Sequence, residues 1–151
     1  MTTGATLDLG MSTECAATEE SVRAALRGPH PAVEALIAWC ETGWAGAAVF
    51  FQTHSSMLAR PTLFLDDLYV RPECRSRGTG RKLLQGLAQL ALARNCAKVE
   101  WLVPKWNVRA IEFYEREGAI LLDERYRCRL DEEALQRLIS AKYDSGGHGR
   151  A

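Results

Sequence analysis

Residues 71–82 read RPECRSRGTGRK, five cations (Arg71, Arg75, Arg77, Arg81, Lys82) against one acid, Glu73. Gly78 and Gly80 let the backbone take positive φ or come close to a ligand. An amphipathic helical pattern starts at once, with apolar residues at 83, 84, 87, 88, 90 and 91. The amides of such a helix's first turn, backed by its dipole, make a site for phosphate or pyrophosphate. Two nucleotide motifs are excluded. A Walker loop needs Ser or Thr after its Lys, and here Arg81-Lys82 is followed by Leu83. The GxGxxG fingerprint fails because Gly86 is out of register. On these residues alone an ordinary glycine-containing turn before a helix stays open.

The flanking elements must hold this loop in place. A strand over 62–70 leads into it, and a strand over 98–104 follows the helix. Upstream, Thr18 followed by Glu19 and Glu20 predicts a helix start, since the acids favour the positive end of the helix dipole. Gly28-Pro29 predicts its end. Strands over 32–41 and 44–53, with Thr42-Gly43 between them, predict a hairpin. The loop with Ser55, Ser56 and Pro61 precedes the 62–70 strand. Downstream, Asn107 opens a helix over 108–117 that Gly118 closes at a C′ position. Two short strands, 120–123 and 125–130, and a helix capped by Asp131 complete the pattern. Hairpins first and strand–helix–strand later give an α/β (α+β) fold: a mixed, mostly antiparallel sheet with flanking helices.

Composition bounds the function. The chain of 151 residues balances 19 Lys+Arg against 19 Asp+Glu, with 47% apolar residues. That length suits one domain with one core, expected over 1–143 and including a short irregular or strand lead-in (1–17, with a weak strand signal at 5–9), followed by a flexible tail, 144–151. Neutrality argues against a general nucleic-acid binder. It is a sum of unlike parts: residues 71–82 carry a net +4 and the remainder a net −4. No uncharged stretch reads as a membrane span, and the N-terminus lacks the pattern of a secretory signal. Five scattered cysteines without a CxxC pair read as reduced thiols in a cytoplasmic protein, with no metal site.

The stretch from Leu65 to Ala119 resembles the GNAT superfamily of N-acetyltransferases. RSRGTG (75–80) matches its acetyl-CoA signature, Q/R-x-x-G-x-G/A, and Trp106-Asn107 through Phe113-Tyr114 to Gly118-Ala119 matches WNxxAxxFYxxxGA. The nearest likeness is to the spermidine/spermine and thialysine acetyltransferase branch, whose third strand also carries an acidic pair before the loop. The resemblance extends over residues 18–130.

It implies acetyl-CoA as co-substrate, with the pyrophosphate on Arg75, Ser76, Arg77, Gly78, Thr79, Gly80 and Arg81. It implies pantetheine pairing with the backbone of Leu68, Tyr69 and Val70 and contacting Asn107, which also serves as an N-cap. Tyr114 would reach the thioester sulfur; a packed core tyrosine is the alternative. A free amine has a pKa of about 10.4, so a carboxylate must take a proton before attack. Asp66 is the chosen base, one carbon shorter than the Glu of that branch and so expected to work through a water. A regular strand sends Asp66 and Asp67 to opposite faces, leaving one of them structural. Glu100 is the reserve base. Amides at the splayed end of the third strand would hold the oxyanion. Tyr has a pKa of about 10 and a thiol about 8.5, so Tyr114 is a hydrogen-bond donor that becomes a general acid only in a desolvated site.

Cys74, beside the loop, is a bystander, because acetyl transfer in this family needs no enzyme thiol. His54 is a surface residue or an acceptor contact, and Trp39, Trp44, Trp101 and Phe50 are core or pocket wall. The family pattern begins with a strand and a long helix, and the 17 residues before Thr18 have no room for that helix. The uncovered apolar surface predicts a homodimer or higher oligomer. The expected activity is direct acetyl transfer to the primary amine of a small polyamine- or amino-acid-like molecule, with no nucleic acid or membrane partner. An acyl-CoA-binding sensor without turnover and a protein or peptide acetyltransferase are the rivals.

Overall fold

The computed structural model describes residues 18–27, 29–124 and 126–140. Residues up to Phe113 cluster into one compact unit and those from Tyr114 onward into a second.

The first unit is built on a four-stranded mixed sheet, β1 (Glu34–Cys40), β2 (Gly43–Ser55), β3 (Arg60–Val70) and β4 (Val99–Trp101), in spatial order β1-β2-β3-β4. The β1–β2 and β2–β3 pairs are antiparallel and β3–β4 is parallel. The parallel step needs a crossover, supplied by helix α2 (Thr79–Ala93). Helix α1 (Glu19–Ala25) precedes the sheet. Its N-cap, Thr18, exchanges hydrogen bonds with Ser21, and its C-cap falls at Leu26; Gly28 lies outside the described residues, as does the strand expected at 5–9.

The core lies where α2 crosses the sheet. Leu83, Leu87 and Ala91, spaced by one helical turn, pack with Ala48, Phe50, Leu63 and Leu65. Phe50, Leu63 and Leu87 are fully buried, each worth about 1.5–3 kcal/mol of transfer free energy. At the end of α2, Arg94 Nη1 and Nη2 donate to the two carboxylate oxygens of Glu34 on β1, each at 2.6 Å.

The β2–β3 hairpin is longer than expected, because Pro61 is part of β3 and not of the loop. Paired opposite His54, it has no N–H to give, yet its carbonyl accepts from Ala97 at 2.8 Å. β4 is shorter than the expected 98–104, since its ladder with β3 spans three residue pairs.

In the second unit, Ala119 N–H donates to the Tyr114 carbonyl at 3.0 Å and Gly118 takes φ 92°, closing helix α3 (Val108–Arg116) as the glycine predicted. Asp131 caps helix α4 (Glu132–Ser140): its Oδ1 accepts from Ala134 N–H at 2.8 Å. The two strands expected at 120–123 and 125–130 are absent among the described residues there. Apolar residues in a short run are a necessary signal for a strand, but a strand also needs a neighbouring backbone. No strand is described in this unit, and Ile120 and Leu122 are exposed.

Candidate active site

The site is set by where strands stop pairing. The parallel ladder matches Leu63 with Val99, Phe64 with Glu100 and Leu65 with Trp101, and ends there. β3 runs on to Val70, so Asp66 to Val70 lie beyond the end of the β4 ladder. On its other side β3 stays paired with β2, but the register slips: Phe50 faces Leu65 while its neighbour Val49 faces Asp67. Asp66 is the extra residue of a β-bulge, a device that re-aims side chains. The bulge also shifts the alternation. Leu63 and Leu65 face the core before it, Leu68 and Val70 after it. The premise that the two acids take opposite faces of a regular strand therefore fails here. What separates them is environment. Asp66 is exposed, while Asp67 is partly buried, and desolvation together with the Asp66 charge raises its pKa above the ordinary carboxylate value.

After Val70 the chain makes a short 3₁₀ turn, Pro72–Cys74, and enters the loop. Ser76 and Gly78 take φ of 59° and 80°. Gly78 is the N-cap of α2 and offers no side-chain cap; the first i→i−4 bond is Lys82 N–H to the Gly78 carbonyl at 3.0 Å. Helix geometry provides no intrahelical acceptor for the amides of Gly78, Thr79 and Gly80. Thr79 Oγ1 donates to the Cys74 carbonyl at 3.2 Å and Arg75 Nε to the Val70 carbonyl at 2.9 Å, fixing the loop's path. Arg71 is committed elsewhere. It pairs with Glu73, donates to the Trp44 carbonyl at 3.1 Å and stacks over the Trp44 ring. Arg75, Arg77, Arg81 and Lys82 are all exposed at or next to the uncapped helix start. Amide donors and cations in that arrangement fit a pyrophosphate.

The acetyltransferase (GNAT) family model matches residues 10–119. The chain belongs to the GNAT acetyltransferase family. It is 39% identical over 94 residues to L-ornithine N5-acetyltransferase NATA1 of Arabidopsis thaliana, covering 62% of this chain and 41% of that protein. It is 33% identical over 96 residues to the thialysine N-epsilon-acetyltransferase of Bos taurus, covering 62% of this chain and 56% of that protein. The chain thus spans about half the length of these curated relatives. Among solved structures, an integron cassette protein from the mobile metagenome of V. cholerae superposes with TM-score 0.71 at 25% identity, covering 84% of this chain and 81% of that one.

The residues that the GNAT resemblance singled out are placed as follows. Leu68, Tyr69 and Val70 lie past the end of the β3–β4 ladder and lead directly into the Arg75–Arg81 loop. Asn107 Oδ1 accepts from Ala110 N–H at 3.2 Å, the N-cap expected of it. Tyr114 is partly buried on α3 and belongs to the second unit. Glu100, on β4, pairs at 2.7 Å with Lys98, the residue just before that strand. His54 stands opposite Pro61, about 20 Å along β3 from Asp67 at the strand rise, which removes it as a contact near the acids. Trp39 is 74% exposed, so it is not core. Among the described residues no group of three His, Cys, Asp or Glu side chains could hold a metal ion, and no helix is long and apolar enough to cross a membrane.

Two contributors are not conspicuous in the sequence. A Cβ on Gly46 would sit 2.4 Å from the Tyr69 carbonyl oxygen, so only glycine lets β2 press this closely on the end of β3. A Cβ on Gly80 would meet the Phe113 ring at 3.3 Å, so this glycine makes packing room where Gly78 supplies the positive φ. The bulge had a signal: in LFLDDLYV the apolar alternation changes parity across the two acids.

Proposed function

We propose that the chain is an acetyl-CoA-dependent N-acetyltransferase acting by direct transfer on the primary amine of a small, amino-acid-like or polyamine-like molecule. One observation carries this reading. The β3 segment that escapes pairing with β4 joins an acidic pair at one end to an uncapped, cation-ringed helix start at the other. Such a segment can pair with an extended pantetheine while the amides of residues 75–81 hold the pyrophosphate. The relatives named for ornithine and thialysine support an amine on a short aliphatic chain.

In this reading the Asp66–Asp67 pair handles the proton. Asp66 is an exposed acid placed to draw in an ammonium group. Asp67, raised above the ordinary value, is the better matched proton acceptor. That shifts the role of base from Asp66 alone toward the pair, with Glu100 engaged by Lys98. Backbone N–H groups along 66–70 donate to the thioester oxygen. Tyr114 donates to the departing sulfur, and Asn107 contacts pantetheine through the amide group whose Oδ1 caps α3. Free thiols and use of acetyl-CoA support a cytoplasmic setting. Ile37 and Trp39, exposed on β1, the outer strand among the described residues, support a homodimer. Light scattering that gives a clean 16.8 kDa monomer at micromolar concentration would refute the dimer.

The deciding experiment is release of CoA thiol across a panel of amines, beside calorimetric titration with acetyl-CoA. Release with ornithine-like or polyamine acceptors supports the reading. Binding without release for any amine favours a sensor, and labelling of a polypeptide alone favours a protein acetyltransferase. No binding at all defeats all three.

A further inference from the structure

Two thiols meet at the root of the loop. Cys40 ends β1 and is exposed; Cys74 ends the 3₁₀ turn and is 5% exposed. They lie 34 residues apart in sequence, yet their Sγ atoms are 3.9 Å apart. A disulfide needs about 2.05 Å, so an approach of about 2 Å separates the contact from a bond. Cys40, exposed at the end of β1 beside the turn to β2, lies outside the buried core cluster. Cys74 is held on both sides: its N–H donates to the Arg71 carbonyl at 2.8 Å, and its own carbonyl accepts from Thr79 Oγ1 at 3.2 Å.

The two thiols differ in reactivity. Hydrogen bonds from the Thr42 hydroxyl and backbone lower the pKa of Cys40, with Thr42 Oγ1 3.2 Å from its Sγ and the Arg71 charge assisting. Burial, followed by the neighbouring Cys40 and the Glu73 charge, pushes the Cys74 thiol up. The exposed member is the one held closer to its thiolate form, which is the nucleophilic form.

We propose that Cys40 and Cys74 are a redox dithiol that closes into an intramolecular disulfide by exchange with a low-molecular-weight disulfide. The Cys40 thiolate attacks one sulfur of R–S–S–R, forming a Cys40–S–S–R bond and expelling R–S⁻, which takes up a proton. The Cys74 thiolate then attacks Cys40 Sγ and expels the second R–S⁻. The balance is two protein thiols and R–S–S–R giving one protein disulfide and two R–SH. The bond ties the β1–β2 turn to the residue whose carbonyl anchors Thr79, so the oxidation state of the pair reaches the helix end where α2 begins.

The probe is glutathione disulfide, applied to the full chain carrying Cys15→Ser and Cys128→Ser, with intact mass and non-reducing peptide mapping as readouts. The pair should lose two hydrogens in mass and yield one cross-linked peptide joining Cys40 to Cys74, reversed by dithiothreitol. Adding Cys74→Ala should trap a stable glutathione adduct on Cys40. Adding Cys40→Ser, at an exposed position that keeps the fold, should leave Cys74 unmodified. Accumulation of the Cys40 adduct with Cys74 present, a cross-link to Cys96 instead, or equally fast modification of Cys74 in Cys40→Ser would each overturn the proposal.

Discussion

Asp67 stands opposite Val49 across the β2–β3 ladder, one residue out of step with the neighbouring Phe50–Leu65 pair. That slip makes Asp66 the bulged residue, and it falls where the ladder to β4 stops. A carboxylate held partly buried beside a second carboxylate is costly to the fold and useful to a proton transfer.

Asp67→Asn should therefore move stability and activity in opposite directions. The folded-state pKa of Asp67 lies above its ordinary value. Between those two values the folded chain holds a proton that the unfolded chain has released, so stability falls as pH rises through that window. Asn removes this slope and should raise the urea midpoint at neutral pH. Turnover should fall by about 10²-fold or more if Asp67 takes the proton. A variant with unchanged midpoint slope and unchanged rate would return Asp67 to a structural role.

Much of this site is legible in the sequence, because local chemistry sets it. Thr18, Asn107, Gly118 and Asp131 act as the caps and terminator their residue types imply. The Gly78 turn and the Leu83, Leu87, Ala91 stripe follow from conformational freedom and helical period. What sequence reasoning misjudged depends on partners. Residues 120–123 are apolar enough for a strand, yet the described residues of their unit offer no strand to pair with. Pro61 looks like a loop residue until Ala97 reaches its carbonyl. The Asp66 bulge and the Gly46 contact are properties of two strands together, so neither strand read alone displays them.

Gly46→Ala tests how closely β2 must approach the end of β3. The added Cβ would lie 2.4 Å from the Tyr69 carbonyl oxygen and 3.2 Å from Val70 Cα, both backbone atoms that cannot rotate away. The strands must part, at a cost of about 1–3 kcal/mol or more. Because Leu68, Tyr69 and Val70 move with them, acetyl-CoA affinity should weaken too. Gly86→Ala is the contrast. Its Cβ meets the Leu36 Cδ1 methyl, a movable group, at 3.3 Å, and Ala is favoured in a helix by up to about 1 kcal/mol. Urea titration should show a clear loss for the first variant and little change or a gain for the second.

Tyr114→Phe separates the proposed donor from a packing tyrosine. Phe keeps the ring and removes the hydroxyl, so a packing role predicts a nearly unchanged rate. A donor to the departing sulfur predicts a fall in kcat of about 10²-fold or more, with calorimetric acetyl-CoA affinity little changed. An equal loss in both would point to binding rather than chemistry.

Glu34→Gln tests the bidentate ion pair that ties β1 to the end of α2. Both carboxylate oxygens accept from Arg94 at 2.6 Å, and the hydrogen bond to Arg94 holds the Glu34 pKa below its ordinary 4.5. With side chains 31% and 36% exposed, solvent screens the pair, so its loss should cost at most about 1 kcal/mol. The sign follows from the lowered pKa: the contribution is present above the unfolded value and is lost as pH falls through the folded one. The difference in urea midpoint between Glu34→Gln and the parent should thus appear at pH 7, shrink as pH drops below about 4, and diminish in about 1 M salt. A difference that persists undiminished in acid would show that Glu34 acts through packing and not through its charge.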